Sequence, residues 1–276
     1  MSSFVKRWRK NRIGSIGGIS VLAIAVLAVL APSLAPYDPT EMAMQHRLEA
    51  PSRVFLFGTD NFGRDILSRV WYGAGVSLWV GFISVGIGVL GGLVFGLAAG
   101  FYGGVVDTVI MRLADVLFAF PSILLALVVI AVLGSSLTNT MVAIGVIYIP
   151  VFTRVVRASV LAVKGLDFVE AARAFGAGDG RLMARHILPN ILPPLIVQAS
   201  LALFGAILTE AALSFLGLGI QPPHPSWGSM LSESRRFMEL APWTAVFPAL
   251  AIMVTVLAFN LFGDGLRDVL DPRLKR

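Results

Sequence analysis

A short polar stretch, residues 167–178, has the residue types and spacing that suit docking by another protein. Four apolar side chains recur in it at helical intervals, and they are Phe168, Ala171, Ala172 and Phe175. This spacing predicts a short helix with one apolar face. Asp167 and Glu170 have the spacing of a capping box at its start, and Gly176 and Gly178 suit its end, where a positive φ is needed. The chemistry that we expect is binding, with the helix held by a partner.

The two aromatic rings can act as anchors in a partner's groove, because large aromatic side chains carry much of the energy of protein interfaces. The alanines between them leave a shallow surface that a groove can cover. The plain alternative is an amphipathic helix that lies on its own bundle. The periodicity alone leaves both interpretations open.

The remaining polar residues do not form the pattern of an enzyme. The three histidines, His46, His186 and His224, are far apart and lie outside the apolar runs. The chain has no cysteine, no His-Glu-x-x-His pattern and no Gly-x-x-x-x-Gly-Lys-Ser/Thr pattern. We therefore expect no catalytic residue, no metal site and no cofactor bound by this chain, and we disfavour an intramembrane hydrolase.

Glu210 is the one carboxylate placed deep in an apolar run, where a charge costs about 2.5–3.5 kcal/mol on insertion scales. It is either a residue of a transport path or a hydrogen-bonded carboxylate that packs helices together, and we favour packing. A secondary transporter commonly has repeated halves and several buried ion ligands. The sequence has no clear internal repeat, so this class remains a lesser alternative.

The elements that must position these residues are membrane helices. Of the 276 residues, 57% are hydrophobic and 14% are charged, and the mean hydropathy is +0.83. Soluble domains carry about 25% charged residues. The net charge of +6 fits basic loops on one side of a membrane better than nucleic-acid binding.

Six apolar runs are long enough to cross a bilayer, which takes about 20 residues. The predicted spans are 16–36, 76–100, 113–133, 138–158, 194–218 and 243–263. The first run is longer than the core of a signal peptide, so we interpret it as an uncleaved helix. Pro121, Pro150 and Pro248 lie inside spans and should kink or loosen them.

Five glycines recur at every fourth position of the second run, and they are Gly88, Gly92, Gly96, Gly100 and Gly104. They predict one continuous helix over 76–100 with a small-residue ridge for a neighbouring helix, preceded by a surface segment. A single crossing here puts sixteen basic residues inside and six outside, whereas a hairpin would reverse the balance. The positive-inside rule thus predicts cytoplasmic tails at 1–15 and 265–276, an outer segment at 37–75, and a cytoplasmic loop at 159–192. At the inner end of the third span, Arg112 and Asp115 are spaced for a helical ion pair.

Several motifs together resemble one transporter family. The cytoplasmic loop has Glu170-Ala-Ala, then Gly176, then Leu188-Pro189, which is similar to the coupling loop of ABC importer permeases. His186 stands where that family generally has an apolar residue, but His186-Ile-Leu-Pro-Asn190 is typical of the dipeptide/oligopeptide/nickel branch. Further matches to this branch are Phe57-Gly-Thr-Asp60, Gly63-Arg-Asp65, Tyr102-Gly-Gly104, Phe120-Pro121, the segment 209–217 and Pro225-Ser-Trp-Gly228.

The resemblance implies an all-α, type I ABC importer permease fold in a bacterial cell membrane. It implies the second of two homologous permease subunits, with two ATPase subunits (or one fused ATPase) that hold ATP and Mg²⁺, and an extracytoplasmic binding protein. The ATPase-coupling residues that it implies are Asp167, Phe168, Glu170, Ala171, Ala172, Arg173, Phe175 and Gly176. The expected solutes are di- and oligopeptides, with nickel chelates or another small solute as alternatives.

Overall fold

The computed structural model describes residues 11–270, and this part of the chain is helical, with no strand. The all-α prediction is confirmed. The nine helices named here are α1 Arg12–Leu34, α2 Ile66–Tyr102, α3 Gly104–Ala119, α4 Ser122–Leu133, α5 Leu137–Val163, α6 Asp167–Ala174, α7 Leu188–Phe215, α8 Trp227–Ser234 and α9 Trp243–Leu270. A helical turn at Asp179–Arg181 and a π-helix at Leu182–Ile187 lead into α7.

Five stretches are long and apolar enough to cross a membrane: α1, α2, α5, the continuous helical segment Asp179–Phe215 that contains α7, and α9. The pair α3 and α4 passes the same test together, although it is bent by 95°. Residues 11–270 therefore contain five candidate spans, or six if this bent pair is one span. The segment between α1 and α2 contains a short 3₁₀ turn at Met44–His46.

The third span differs from its prediction as one helix over 113–133. It is divided between α3 and α4 at Phe120 and Pro121, and Phe120 has an extended backbone with φ −89° and ψ 136°. Proline lacks the N–H of a helical hydrogen bond and disfavours helical backbone in the residue before it. Pro150 and Pro248 have no such effect, since α5 and α9 run through them.

Helix α2 also differs from its prediction, because it begins at Ile66 rather than at residue 76. The Asp65 side chain caps it by accepting a hydrogen bond from the Ser68 N–H at 2.8 Å. Its first turns are buried, and the Val70 carbonyl accepts a hydrogen bond from Trp227 Nε1 on α8 at 2.9 Å. Residues 66–75, which were predicted as surface, are therefore part of the long helix.

The glycine ridge of α2 faces α5 in the largest helix–helix contact of the structure. Four of the predicted glycines lie against side chains that also recur at every fourth position, namely Tyr148, Phe152, Val156 and Val160. Gly104 is not part of the ridge, because α2 ends at Tyr102 and nothing lies near Gly104. Matching four-residue rows on both helices let the two backbones approach closely.

Replacing Gly92 by Ala tests this close approach. A Cβ on Gly92 would lie 2.8 Å from the Phe152 carbonyl carbon and 2.9 Å from the Thr153 nitrogen, both backbone atoms that cannot rotate away. We expect Gly92→Ala to lower the free energy of unfolding by about 1–3 kcal/mol, the usual cost of overpacking. The control is Gly86→Ala on the same helix, where no atom lies within 4 Å. Equal thermal midpoints of the two variants in detergent would contradict the packing described.

Candidate functional site

The docking helix predicted over 167–178 is α6, and its start differs in detail from the prediction. The N-cap residue is Leu166, and Asp167 is already inside the helix. No side chain makes a capping hydrogen bond at this end of α6. The predicted capping box of Asp167 and Glu170 is therefore wrong. Both carboxylates lie in the first turn instead, where they interact favourably with the positive end of the helix dipole.

The end of α6 is a Schellman motif built on Gly176. Gly176 has φ +81°, which is the left-handed conformation that favours glycine. The N–H of Gly176 donates to the carbonyl of Arg173 at 2.9 Å, and the N–H of Ala177 donates to Ala172 at 3.0 Å. Gly178 has a negative φ and precedes the next helical turn, so the stop needs only Gly176.

One face of α6 packs on the protein itself. Val169 is 1% exposed and belongs to the main core cluster together with Leu182 and Ile187. Ala172 is partly buried and packs against the same cluster, so only part of its surface is open to a partner. Sequence reasoning missed Val169, although the spacing of Val169 and Ala172 is that of a second apolar face.

Another face of α6 carries a stripe of three exposed side chains, Phe168, Ala171 and Phe175, which we call the exposed stripe. Phe168 is 43% exposed and Phe175 is 92% exposed. The spacing i, i+3, i+7 places them on one side of the helix. The helix therefore satisfies its own core through Val169 and still presents two aromatic rings to the outside.

Two basic side chains connect the docking region to the end of α2. The Arg173 guanidinium lies 5.7 Å from the centre of the Phe101 ring, within the range of a cation–π contact. Lys164 Nζ donates to the Gly100 carbonyl at 2.8 Å, which satisfies a carbonyl in the last turn of α2. The end of α2 is therefore in contact with Arg173 of α6 and with Lys164, the residue that follows α5.

Ion pairs at the same end of the bundle connect α3 to α5. Arg157 Nε and Nη2 each donate a hydrogen bond to the Asp107 carboxylate. Arg154 Nη2 lies 2.7 Å from Asp115 Oδ1. The predicted pairing of Arg112 with Asp115 is wrong. Asp115 faces α5, where Arg154 is within reach.

The buried carboxylate Glu210 lies on α7 and is completely inaccessible to solvent. It accepts hydrogen bonds from Ser77 on α2 at 3.1 Å and from Ser214 one turn further along α7 at 2.7 Å. These bonds connect α2 to α7 in the interior of the bundle. Buried polar groups in membrane proteins need such partners, because lipid supplies none.

At the end of the bundle where α2 begins, two buried arginines join the segment before α2 to α8. Arg64 Nε lies 2.6 Å from Asp60 Oδ2, and Arg64 and Arg69 both contact Glu233 of α8. The arginine side chains are only 2% and 1% exposed. Because each arginine has acidic partners, the buried cluster attaches the segment before α2 to α8.

No three potential metal ligands come together within residues 11–270. His46 pairs with Glu49 at 2.8 Å in the segment between α1 and α2. His224 is exposed in the loop before α8. The candidate site therefore consists of the exposed side chains of α6 and of contacts between helices.

Comparisons with known proteins place the whole chain beside membrane transport components. The family described as "binding-protein-dependent transport system inner membrane component" matches residues 92–276, and "N-terminal TM domain of oligopeptide transport permease C" matches residues 1–51. A dipeptide transport system permease protein of Alkalihalophilus pseudofirmus is 48% identical, covering 98% of this chain and 89% of that protein. A glutathione transport system permease protein of Pectobacterium atrosepticum is 47% identical, covering 99% and 91%.

Two solved structures share the fold at low sequence identity. An inward-facing form of the MetNI methionine ABC transporter matches with a TM-score of 0.58 at 19% identity, covering 73% of this chain and 96% of the solved one. An amino acid ABC transporter with histidines matches with a TM-score of 0.55 at 17% identity, covering 72% and 92%. The helical arrangement is therefore that of ABC importer permeases.

Replacing Val169 by Ala tests how α6 is held on the bundle. Removing buried methyl groups should weaken this attachment by about 1–2 kcal/mol, so hydrogen exchange in α6 should accelerate about tenfold. The matched control is Phe175→Ala, which removes an exposed ring of the same helix and should leave exchange unchanged. If both variants exchange at the same rate, Val169 is not the anchor.

Proposed function

The chain belongs to the family of binding-protein-dependent transport system inner membrane components, and on that premise we propose that it is one permease subunit of an ATP-driven peptide importer. As a multi-pass membrane component, it is a transporter subunit rather than an enzyme. In this proposal it forms half of the path, and a homologous permease forms the other half.

The solute class rests on the relatives. Proteins nearly half identical over almost the whole chain carry names of dipeptide, di/tripeptide and glutathione transport permeases. Glutathione is itself a small peptide, so these names share one substrate chemistry. They favour di- and oligopeptides over nickel chelates, which remain the alternative solute.

We infer the mechanism from the two faces of α6, one buried and one exposed. Val169 attaches the helix to the core, whereas the exposed stripe presents two aromatic rings to a partner. In the proposal, each ATPase subunit receives such a helix in a groove, with Phe168 and Phe175 as anchors. Four further residues complete this coupling segment. Asp167 and Glu170 place charges in the first turn of α6, Arg173 contacts α2, and Gly176 ends the helix.

Movement follows from the contacts of α6. When two ATPases close around ATP and Mg²⁺, they shift the α6 helices of the two permeases. Arg173 on Phe101 and Lys164 on the Gly100 carbonyl transmit this shift to α2. Since α2 packs along α5 through the glycine ridge, the two helices move together, and the path opens to the outside.

The orientation proposed is the one that the basic residues favour, with α6 in the cytoplasm. The outer segment and α8, fixed by Arg64, Arg69 and Glu233, then face the extracytoplasmic binding protein. A firmly held outer surface suits docking, because little conformational entropy is lost on binding.

Phe175→Ala tests the coupling function. Loss of a central aromatic anchor typically costs about 2 kcal/mol or more, so peptide uptake by the complete importer in proteoliposomes should fall at least tenfold. The matched control is Val105→Ala. Val105 is an apolar residue of α3 that is 79% exposed and does not belong to the exposed stripe. ATPase pull-down and peptide-stimulated ATP hydrolysis should weaken only in Phe175→Ala. Normal uptake and pull-down would remove α6 from the coupling role.

Cysteine labelling tests the orientation, and the chain offers a clean background because it has no cysteine. A cysteine at Asp179, just after α6, should resist a membrane-impermeant maleimide in intact cells and react after permeabilisation. A cysteine at exposed Arg53 in the outer segment should react in intact cells. Labelling of Asp179→Cys from outside would place the coupling segment in the wrong compartment.

A further inference from the structure

A large cleft lies between α5, α7 and α9, at the end of the bundle where α7 begins and α5 and α9 end. Its volume is about 730 Å³, and most of its lining comes from α5 and α7. The lining includes Ser159, Asn190, Val197, Gln198, Leu201 and Arg267. Pockets of 300–1,000 Å³ are typical of sites for small molecules.

The lining of this cleft differs from that of the other large groove, which lies between α2, α3 and α5. That groove, of about 340 Å³, is apolar apart from Thr153, whose hydroxyl donates to the Ile149 carbonyl in its own helix. A wall of this kind suits lipid or a packed helix. The larger cleft instead carries a hydroxyl, two amides and a guanidinium, which suit water or a polar solute.

Two of these polar groups are satisfied locally and two are not. Ser159 donates to the Val155 carbonyl, and Asn190 donates to the His186 carbonyl. The side chains of Gln198 and Arg267 have neither a hydrogen bond nor an ion pair to any residue in the described range. Gln198 lies ten residues into α7, about 15 Å along its axis. An unpaired amide at this depth requires water or a ligand, because hydrocarbon offers no partner.

We propose that this cleft is the inward end of the translocation path, and that Gln198 contacts the main chain of the passing peptide. The proposal rests on the proposed function. A primary amide both donates and accepts hydrogen bonds, so it matches the N–H and C=O groups of any peptide regardless of its side chains. Val197 and Leu201 give the same wall apolar contact area. Arg267 lies exposed at the mouth, where its charge attracts the carboxylate of a departing peptide.

A cysteine at Gln198 tests whether water and movement reach the cleft. The probe is a negatively charged methanethiosulfonate, applied to inside-out vesicles that contain the complete importer. Gln198→Cys should react rapidly without nucleotide, and at least tenfold more slowly when ATP and orthovanadate hold the ATPases closed. The control is Ile196→Cys, about 200° around the same helix and 46% exposed in this chain, which should react slowly in both states.

Each outcome decides the proposal. Protection of Gln198→Cys by ATP and orthovanadate supports a path that closes on the inner side. Equal reaction in both states means a hydrated cleft outside the path, and no reaction in either state means that lipid or protein fills it; both results overturn the proposal. The labelling needs no knowledge of the solute, so it stands even if the importer carries something other than peptides.

Uptake measurements test the contact with the peptide. Gln198→Leu should lower ATP-driven uptake of dialanine about tenfold, the loss expected when one hydrogen-bond partner is removed, while Gln198→Asn should retain more activity. Ile196→Leu, on the other side of the same helix and outside the cleft lining, is the control. Uptake by Gln198→Leu at the rate of the unmodified importer would overturn the main-chain contact. Failure of the unmodified importer to carry dialanine would instead count against the proposed function.

Discussion

The structure depends on the close contact of α2 with α5. In lipid the hydrophobic effect does not drive one helix against another, since the surroundings are as apolar as the side chains. Association must come from van der Waals contact and from hydrogen bonds. Gly88, Gly92, Gly96 and Gly100 remove the side chains that would keep the two helices apart. The aromatic and branched side chains of α5 fill the space, and the other membrane helices assemble around this pair.

Polar contacts complete the bundle where packing alone is not specific. Glu210 joins α2 to α7 in the interior, the arginine cluster joins the segment before α2 to α8, and the Arg157–Asp107 pair joins α3 to α5. In the buried arginine cluster, removing one partner leaves the other charge uncompensated, so this contact selects one arrangement of the helices. At the end of α2, Arg173 of α6 lies over the Phe101 ring, and Lys164 after α5 donates to the Gly100 carbonyl.

The sequence predicts the class of fold well because membrane spans depend on long apolar runs, and the glycine ridge follows from simple periodicity. It fails where a local conformation competes with hydropathy. Phe120 and Pro121 lie in one apolar run, yet the backbone there divides the span into α3 and α4. The start of α2 was missed because residues 66–75 include polar groups that become buried against α8.

The coupling segment shows a second limit of sequence reasoning. Its existence and its glycine stop follow from spacing, but the two faces of α6 cannot be assigned without knowing where the bundle lies. Val169 and Phe168 are adjacent and equally apolar, and only the fold turns one inward and the other outward. Gln198 is a polar residue inside the predicted span 194–218, but the sequence does not show the cleft that α5 and α9 form around it.

The exposure of Phe175 has a consequence for the life of the subunit before assembly. The Phe175 ring has 92% of its surface accessible, and Phe168 beside it has 43%. A copy made in excess of the partners in the proposed importer would keep both rings uncovered. Its solubility outside the membrane would then depend on binding to a partner at the end of one short helix.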